Sequence, residues 1–482
     1  MRIVFVASEC VPFVKTGGLA DVIGILPLKI AALGHEVKVI LPYYRSVKAY
    51  KPKPKKLPIS LSIPMADAQE TAEIYHLKSD TGVEFIFVSR DEYYDREGLY
   101  VDENGDYPDN APRFIFFSKA ALKYLNETQY HPDIINCHDW HTGLVPVLLH
   151  EWRKEDSFYD GIKSLFTIHN IAYQGLSSHL NMPLANLDWS YFTPKGLEFY
   201  GMLNLLKAGI VFADAVSTVS PRYSQEIQTP EYGCGLEGVL SERRHVLHGI
   251  LNGADYDLWD PEKDRFIVQN YSQDDLSGKR ACKRDLMREF GLRLPEETPL
   301  IAVISRLADQ KGFDLIGRAL YRLMPLGVGV VVLGDGEERY ENMLRRHALR
   351  HPERLGVRIG FDEALAHKME AGADIFLMPS RYEPCGLNQI YSLKYGTIPV
   401  VRATGGLDDT VSDYNPETAR GNGFKFSKYE VSALIEALER ALSLHRNKRA
   451  WENLVRHCMT YEFSWETQAL KYVELYHQMM ED

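Results

Sequence analysis

Short apolar runs bounded by turn residues alternate with amphipathic stretches along most of this chain. Residues 3–7 (Ile-Val-Phe-Val-Ala) are such a run, of the kind buried in a parallel sheet. A glycine-containing turn follows, then a stretch from about residue 19 to 33 with helical spacing, and Gly34 stands where a helix ends. Residues 37–41 resume as a strand. Parallel strands joined through a helix need helices over both faces of the sheet. Further strand-like runs lie at 85–88, 134–137, 165–168 and 215–219.

A second series begins near residue 299. Strands are expected at 300–304, 328–333, 357–359, 375–378 and 398–401, with helices at 313–324, 337–350, 363–371 and 386–395 between them. Two such series, meeting near residues 248–262, predict an α/β protein with two doubly wound parallel-sheet domains facing a cleft. The boundaries fall at 1–250 and 251–460. The pattern from about 429 to 480 is helical throughout, and 461–482 is set apart as a C-terminal helix. The basic, proline-broken stretch at residues 51–56 reads as surface.

Composition narrows the class only a little. A chain of 482 residues is long enough for two or three cores, and 45% hydrophobic with 25% charged residues is ordinary for a globular protein. A formal net charge of -11 argues against nucleic acid or an anionic membrane as the main partner. No apolar run approaches the ~18 residues of a membrane span, and the N-terminus reads as a first strand, not a signal segment. The six scattered cysteines show no zinc-ligand spacing and suit a reducing cytosol.

The candidate chemistry lies where strands hand over to helices, the edge at which open α/β sheets bind ligands. In Lys15-Thr16-Gly17-Gly18-Leu19 the paired glycines let backbone amides approach an anion, a helix N-terminus adds positive potential, and Lys15 adds a full charge. Arg306 and Lys311 follow the 300–304 strand, and two cations there suit a departing diphosphate without a metal. In Ser380-Arg381-Tyr382-Glu383-Pro384-Cys385-Gly386-Leu387-Asn388, the amides of Gly386 and Leu387 open a helix as an anion site, and Glu383 is placed for sugar hydroxyls. Cys385 reads as a small packed thiol. His138 and His141 are spaced like metal ligands, but no HExxH accompanies them and no metal is expected. His169 ends a strand and reads as a sugar contact. Thr404-Gly405-Gly406-Leu407-Asp408-Asp409 echoes Thr16-Gly17-Gly18-Leu19-Ala20-Asp21.

Taken in order, these segments resemble the bacterial glycogen synthase and plant starch synthase family, retaining GT-B glycosyltransferases that build α-1,4-glucan. The likeness includes Ser8-Glu9 with the Lys15–Val22 segment, Tyr107-Pro108-Asp109-Asn110, His138-Asp139-Trp140-His141, Thr167-Ile168-His169-Asn170, Tyr173-Gln174-Gly175 and Asn252-Gly253. It continues through Arg306 with Lys311, Glu383-Pro384-Cys385-Gly386-Leu387 and Tyr395-Gly396-Thr397.

The resemblance implies two Rossmann-like domains with the C-terminal helix crossing back to the N-terminal one. It implies glucose transfer from ADP-glucose to the non-reducing end of glycogen or another α-glucan in the cytoplasm, with retained configuration and no cofactor. By the same resemblance Arg306 and Lys311 hold the donor diphosphate, Glu383 contacts the donor glucose, and His169 and Asp139 line the sugar side. Lys15, Gly17, Gly18 and Asp21 approach the phosphates from the opposite domain. Asn252, Cys385, Gly386, Leu387, Thr404 and Gly405 complete the donor side, and Phe361 lies against the nucleotide base. Two positions depart from the wider pattern: Tyr391 stands where many GT-B families have a second glutamate, and Asn388 where several members have threonine.

Overall fold

The computed structural model describes residues 1–103 and 105–481 and divides into two compact units. The first holds Met1–Val219, Ser224–Ile250 and the C-terminal segment from Trp465; the second holds Ser220–Tyr223 and Leu251–Ser464. No helix among the described residues is long and apolar enough to cross a membrane.

The first unit is built on a nine-stranded sheet. Across it run Leu247–Gly249, Ala215–Thr218, Lys163–Ile168, Ile134–His138, Arg2–Val6, Glu36–Pro42, Glu84–Ser89, Ala68–Lys78 and Lys55–Met65. The seven strands from Leu247–Gly249 to Glu84–Ser89 are parallel, and Ile3 lies opposite both Val37 and Ile134. Ile3, Val4, Phe5 and Val6 are fully buried, which explains their unbroken apolar run: both faces of this strand are covered.

The last two strands form an antiparallel hairpin that the pattern did not announce. Lys55 and Lys56, expected as surface, open its edge strand. Residues such as Ser60, Ser62 and Glu73 alternate with apolar ones, since one side of the hairpin stays in water. Lysines and a proline on an edge strand also discourage pairing with another chain.

The C-terminal helix Trp465–Glu481 buries Trp465, Gln468, Ala469, Tyr472, Leu475, Tyr476 and Met479, a stripe at three- and four-residue steps. Lys29 on the helix Gly18–Ala32 reaches Glu466 at 2.5 Å. Beneath the stripe, Asn136 donates through Nδ2 to the Tyr476 hydroxyl at 3.0 Å. Asn136 in turn accepts from Thr167 Oγ1 at 2.9 Å, and Thr167 meets Ser217 at 2.8 Å. This buried polar ladder joins three neighbouring strands to the helix.

The second unit carries a six-stranded, all-parallel sheet in the order Leu355–Ile359, Gly329–Gly334, Leu300–Ile304, Ile375–Met378, Ile398–Arg402, Phe424–Phe426. Its five longer strands follow the expected series. Phe424–Phe426 is the addition, too short to show a period of its own.

Replacing Tyr476 by Phe leaves the buried Asn136 amide short of an acceptor. A loss of about 1–2 kcal/mol in urea unfolding is expected.

Candidate active site

In the first unit the parallel strands release their loops at one edge of the sheet. After Arg2–Val6 the chain forms Ser8–Gly17, and the helix Gly18–Ala32 begins with Gly17 as its N-cap. Lys15 Nζ pairs with Asp21 Oδ1 at 2.7 Å. Two of the loop's amides are not open to a ligand: those of Thr16 and Gly17 donate to Glu9 Oε2 at 2.5 and 3.2 Å. The amides of Gly18 and Leu19 have no protein acceptor among the described residues. The anion-facing capacity expected of this turn is therefore narrower than its sequence suggests.

After the strand Ile134–His138, Asp139 adopts φ 55° and ψ -179°, a sparsely populated conformation for a residue with a side chain. Its carboxylate accepts from the His169 amide at 2.8 Å, and His138 Nδ1 meets His169 Nε2 at 2.9 Å. Burial lowers His169 to about 3, so its ring is neutral at physiological pH. Burial, with His169 nearby, keeps His138 neutral too. His141 stacks on Trp140 at 3.9 Å, and both its ring nitrogens are buried without a partner. His138 and His141 are thus committed to different neighbours. Among the described residues no three His, Cys, Asp or Glu side chains are grouped to hold a metal.

Burial raises Asp139 to about 7; the amides of His169 and Asn170 pull it down, and the Glu9 carboxylate adds to the rise.

In the second unit, Arg306 is exposed just past the strand Leu300–Ile304, and no side-chain bond engages it among the described residues. Lys311 is engaged: its Nζ lies 2.9 and 2.7 Å from the two oxygens of Glu383, which also accepts from Ser380 Oγ at 3.0 Å. Glu383 is only 5% exposed. A buried pair of this kind is costly to break from one side, roughly 3–5 kcal/mol.

Cys385 follows in the same turn. Its thiol accepts a bond from the Asn252 backbone, and burial pushes it up to about 12. It is a protonated packing group, not a nucleophile. Asn252 is itself buried, with Oδ1 unpartnered. Gly386 has φ +74°, and the helix after it runs Asn388–Lys394, starting later than the pattern implies because Gly386 and Leu387 are spent on the turn. Tyr391, at the departure from the wider pattern, stacks on Trp259 at 4.2 Å, and Trp259 stacks on His367 at 3.7 Å. Phe361 is 84% exposed, an unsheltered ring beside Gly360.

The two Thr-Gly-Gly-Leu segments both sit between a strand and a helix, yet their glycines answer different demands. A Cβ on Gly405 would lie 2.0 Å from the Glu383 carbonyl, and one on Gly406 2.1 Å from that of Cys385. The Gly406 amide donates to the Glu383 and Pro384 carbonyls at 3.2 and 3.1 Å. Thr404–Gly406 thus lies backbone to backbone against the Glu383–Cys385 turn. At Gly17 and Gly18 a Cβ would meet nothing within 4 Å. Neither packing nor left-handed backbone demands glycine there, which leaves room for something approaching from solvent.

The structure therefore groups Lys311, Glu383, Asn252, Cys385, Gly386, Thr404 and Gly405 in one unit, and Asp139 with His169 in the other. Sequence reasoning assigned no role to Glu9, Ser380 or Gly406. The available signals were the place of Ser8-Glu9 in the family resemblance and a charged residue soon after a buried strand.

Comparisons with known proteins place this geometry in context. Residues 2–242 match the family model of the starch synthase catalytic domain, and 288–456 match glycosyl transferases group 1. A glycogen synthase from Koribacter versatilis is 50% identical over 99% of this chain and 98% of its own. One from Syntrophotalea carbinolica is 45% identical over 100% and 99%. The catalytic domain of starch synthase IV from Arabidopsis thaliana, solved with ADP and acarbose bound, superposes with a TM-score of 0.90 at 32% identity, covering 100% of this chain and 99% of that one. Fold and matched domains together define a GT-B hexosyltransferase. The chain belongs to the glycogen synthase and starch synthase family.

Two expectations follow from the site itself. Gly406→Ala should cost about 1–3 kcal/mol in urea unfolding, since backbone must move to admit the methyl group. Gly18→Ala should stay within about 0.5 kcal/mol of the parent and still lose activity. Equal stability losses in the two variants would contradict the contrast.

The second expectation concerns pH. The folded protein keeps the Asp139 proton up to about pH 7, whereas an unfolded carboxyl loses it near ~4. This group's stabilising contribution is full below ~4 and is lost as pH rises through about 7. Asp139→Asn should flatten that part of a stability–pH curve measured by urea unfolding.

Proposed function

We propose that the chain extends α-1,4-glucan by transferring glucose from ADP-glucose to the non-reducing end of glycogen, with retention of configuration and release of ADP. The observation that carries this reading is the Lys311–Glu383–Ser380 cluster, with Arg306 just before Lys311 in sequence, exposed and engaged by no side-chain bond among the described residues. A departing nucleoside diphosphate gains negative charge, and preset cations stabilise that charge without reorganising. Arg306 and Lys311 take this role. Glu383, holding Lys311, is placed to accept hydroxyl protons of the donor glucose.

In this mechanism the bond from C1 to the diphosphate oxygen breaks and its electron pair leaves with ADP. The acceptor hydroxyl adds to C1 from the same face and gives its proton to the departing phosphate oxygen. Front-face substitution is preferred to a glucosyl-enzyme. The Cys385 thiol stays protonated, and the Glu383 carboxylate is already occupied by Lys311 and Ser380.

The neutral His169 and the strained Asp139 serve the sugar, Lys15 with Gly17, Gly18 and Asp21 serves the phosphates, and Phe361 serves the base. Asn252, Gly386, Leu387, Thr404 and Gly405 shape the donor pocket. The starch synthase IV solved with ADP supports the adenine choice over uridine. The two cations suffice for the diphosphate on this reading, so no metal is invoked. Six free cysteines, five of them buried, support a cytoplasmic setting.

The test is ¹⁴C-glucose transfer to glycogen from ADP-glucose and UDP-glucose, with EDTA present. ADP-glucose should be the better donor, and ADP should be released only when glycogen is added. Arg306→Ala and Lys311→Ala should each lose ~10²–10³ in turnover. Arg306→Ala should do so at unchanged thermal stability. A trapped glucosyl-Glu383 adduct would replace the front-face route, and binding without transfer would make the protein a glucan-binding one.

A further inference from the structure

Glu9 is 3% exposed, and among the described residues no lysine or arginine forms a salt bridge with it. An uncompensated buried carboxylate is expensive unless hydrogen-bond donors surround it. Four do. Thr16 offers both its amide, 2.5 Å from Oε2, and its hydroxyl, 2.6 Å from Oε1. The Gly17 amide lies 3.2 Å from Oε2. The Tyr100 hydroxyl lies 2.8 Å from Oε1 and 2.7 Å from Ser8 Oγ, so it donates its single proton to the carboxylate and accepts from the serine. The nearby cation, Lys15, is paired with Asp21 instead.

The placement is unusual for a loop read as an anion contact. A helix N-terminus ordinarily offers its first amides to an anion. Here an internal anion takes Thr16 and Gly17, and the donors left over are Gly18 and Leu19. A Cβ added at Gly17 or Gly18 would meet nothing within 4 Å, so no packing around a side chain fixes the backbone at these two positions. Two adjacent glycines, with no side chains to pack, have many conformations to lose on binding. The Glu9 clamp removes that freedom in advance, because it grips Thr16 from both backbone and side chain.

We propose that Glu9 is a positioning residue for the donor: its carboxylate presets the Lys15–Leu19 loop so that Lys15 and the remaining amides meet the phosphates. Tyr100 braces the carboxylate from the other side, and its ring packs 4.5 Å from that of His141, next to Asp139. Glu9 never touches the substrate. Its effect is on how much order the loop must acquire when the donor binds, a cost that weakens binding. The inference rests on the reading that this loop contacts the donor.

The test compares steady-state kinetics of Glu9→Ala, Glu9→Gln and Lys15→Ala with ADP-glucose varied at saturating glycogen, alongside thermal melting. Glu9→Ala should raise the donor KM about tenfold while kcat falls less than about threefold. Glu9→Gln, which retains an acceptor for the two amides, should recover most of that loss. If Glu9→Ala does not fold, Thr16→Val gives the readout: it removes one hydroxyl bond and should raise the donor KM about threefold. An unchanged donor KM in the folded Glu9 or Thr16 variant, with a raised one in Lys15→Ala, overturns the role of Glu9 alone. An unchanged donor KM in Lys15→Ala overturns the reading of the loop, and the proposal with it.

Discussion

A parallel strand cannot be joined to its neighbour by a tight turn; the chain must cross the sheet first, usually as a helix. Everything functional in this molecule follows from that constraint. In each unit the loops that leave the strands gather at one edge, each poised before a helix. In the first unit that edge collects Lys15, Asp139 and His169, and in the second Arg306, Glu383 and Thr404. Residues far apart in sequence become neighbours because the same rule is obeyed at every strand.

Within the second unit the electrostatics are arranged in two grades. Arg306 stands exposed, and among the described residues no side-chain bond engages it. Lys311 is held by a carboxylate that is itself fixed by Ser380. A lysine stem is long and flexible, and clamping its end places the charge. The same clamp orients Glu383, so one ion pair aims two groups at once. The Thr404–Gly406 turn then fixes the backbone beneath them by direct contact with the Glu383 and Cys385 carbonyls.

Much of the fold was legible because buried parallel strands declare themselves as apolar runs. The strands at 300–304 and 375–378 run as the pattern implies. The hairpin Lys55–Lys78 region escaped because a half-solvated edge carries Ser, Glu and Lys at every second place, and Phe424–Phe426 because three residues hold no period. At the candidate site, residue types pointed to turns that follow strand ends, yet partnership was invisible. Nothing in the string Glu383-Pro384-Cys385 shows that Lys311, 72 residues away, ends on that carboxylate. Nor does Gly17-Gly18 reveal that a glutamate eight residues earlier has taken one of its amides.

The two Thr-Gly-Gly-Leu segments carry a consequence for how such a sequence drifts. At 405 and 406 the demand for glycine is internal, since any side chain would collide with the protein's own backbone. At 17 and 18 nothing inside the protein asks for it. A descendant that kept the fold and lost its substrate would be free to replace the first pair long before the second. On the proposed role of the first pair, the order in which those glycines erode would date the loss of catalysis in a lineage whose structure still stands.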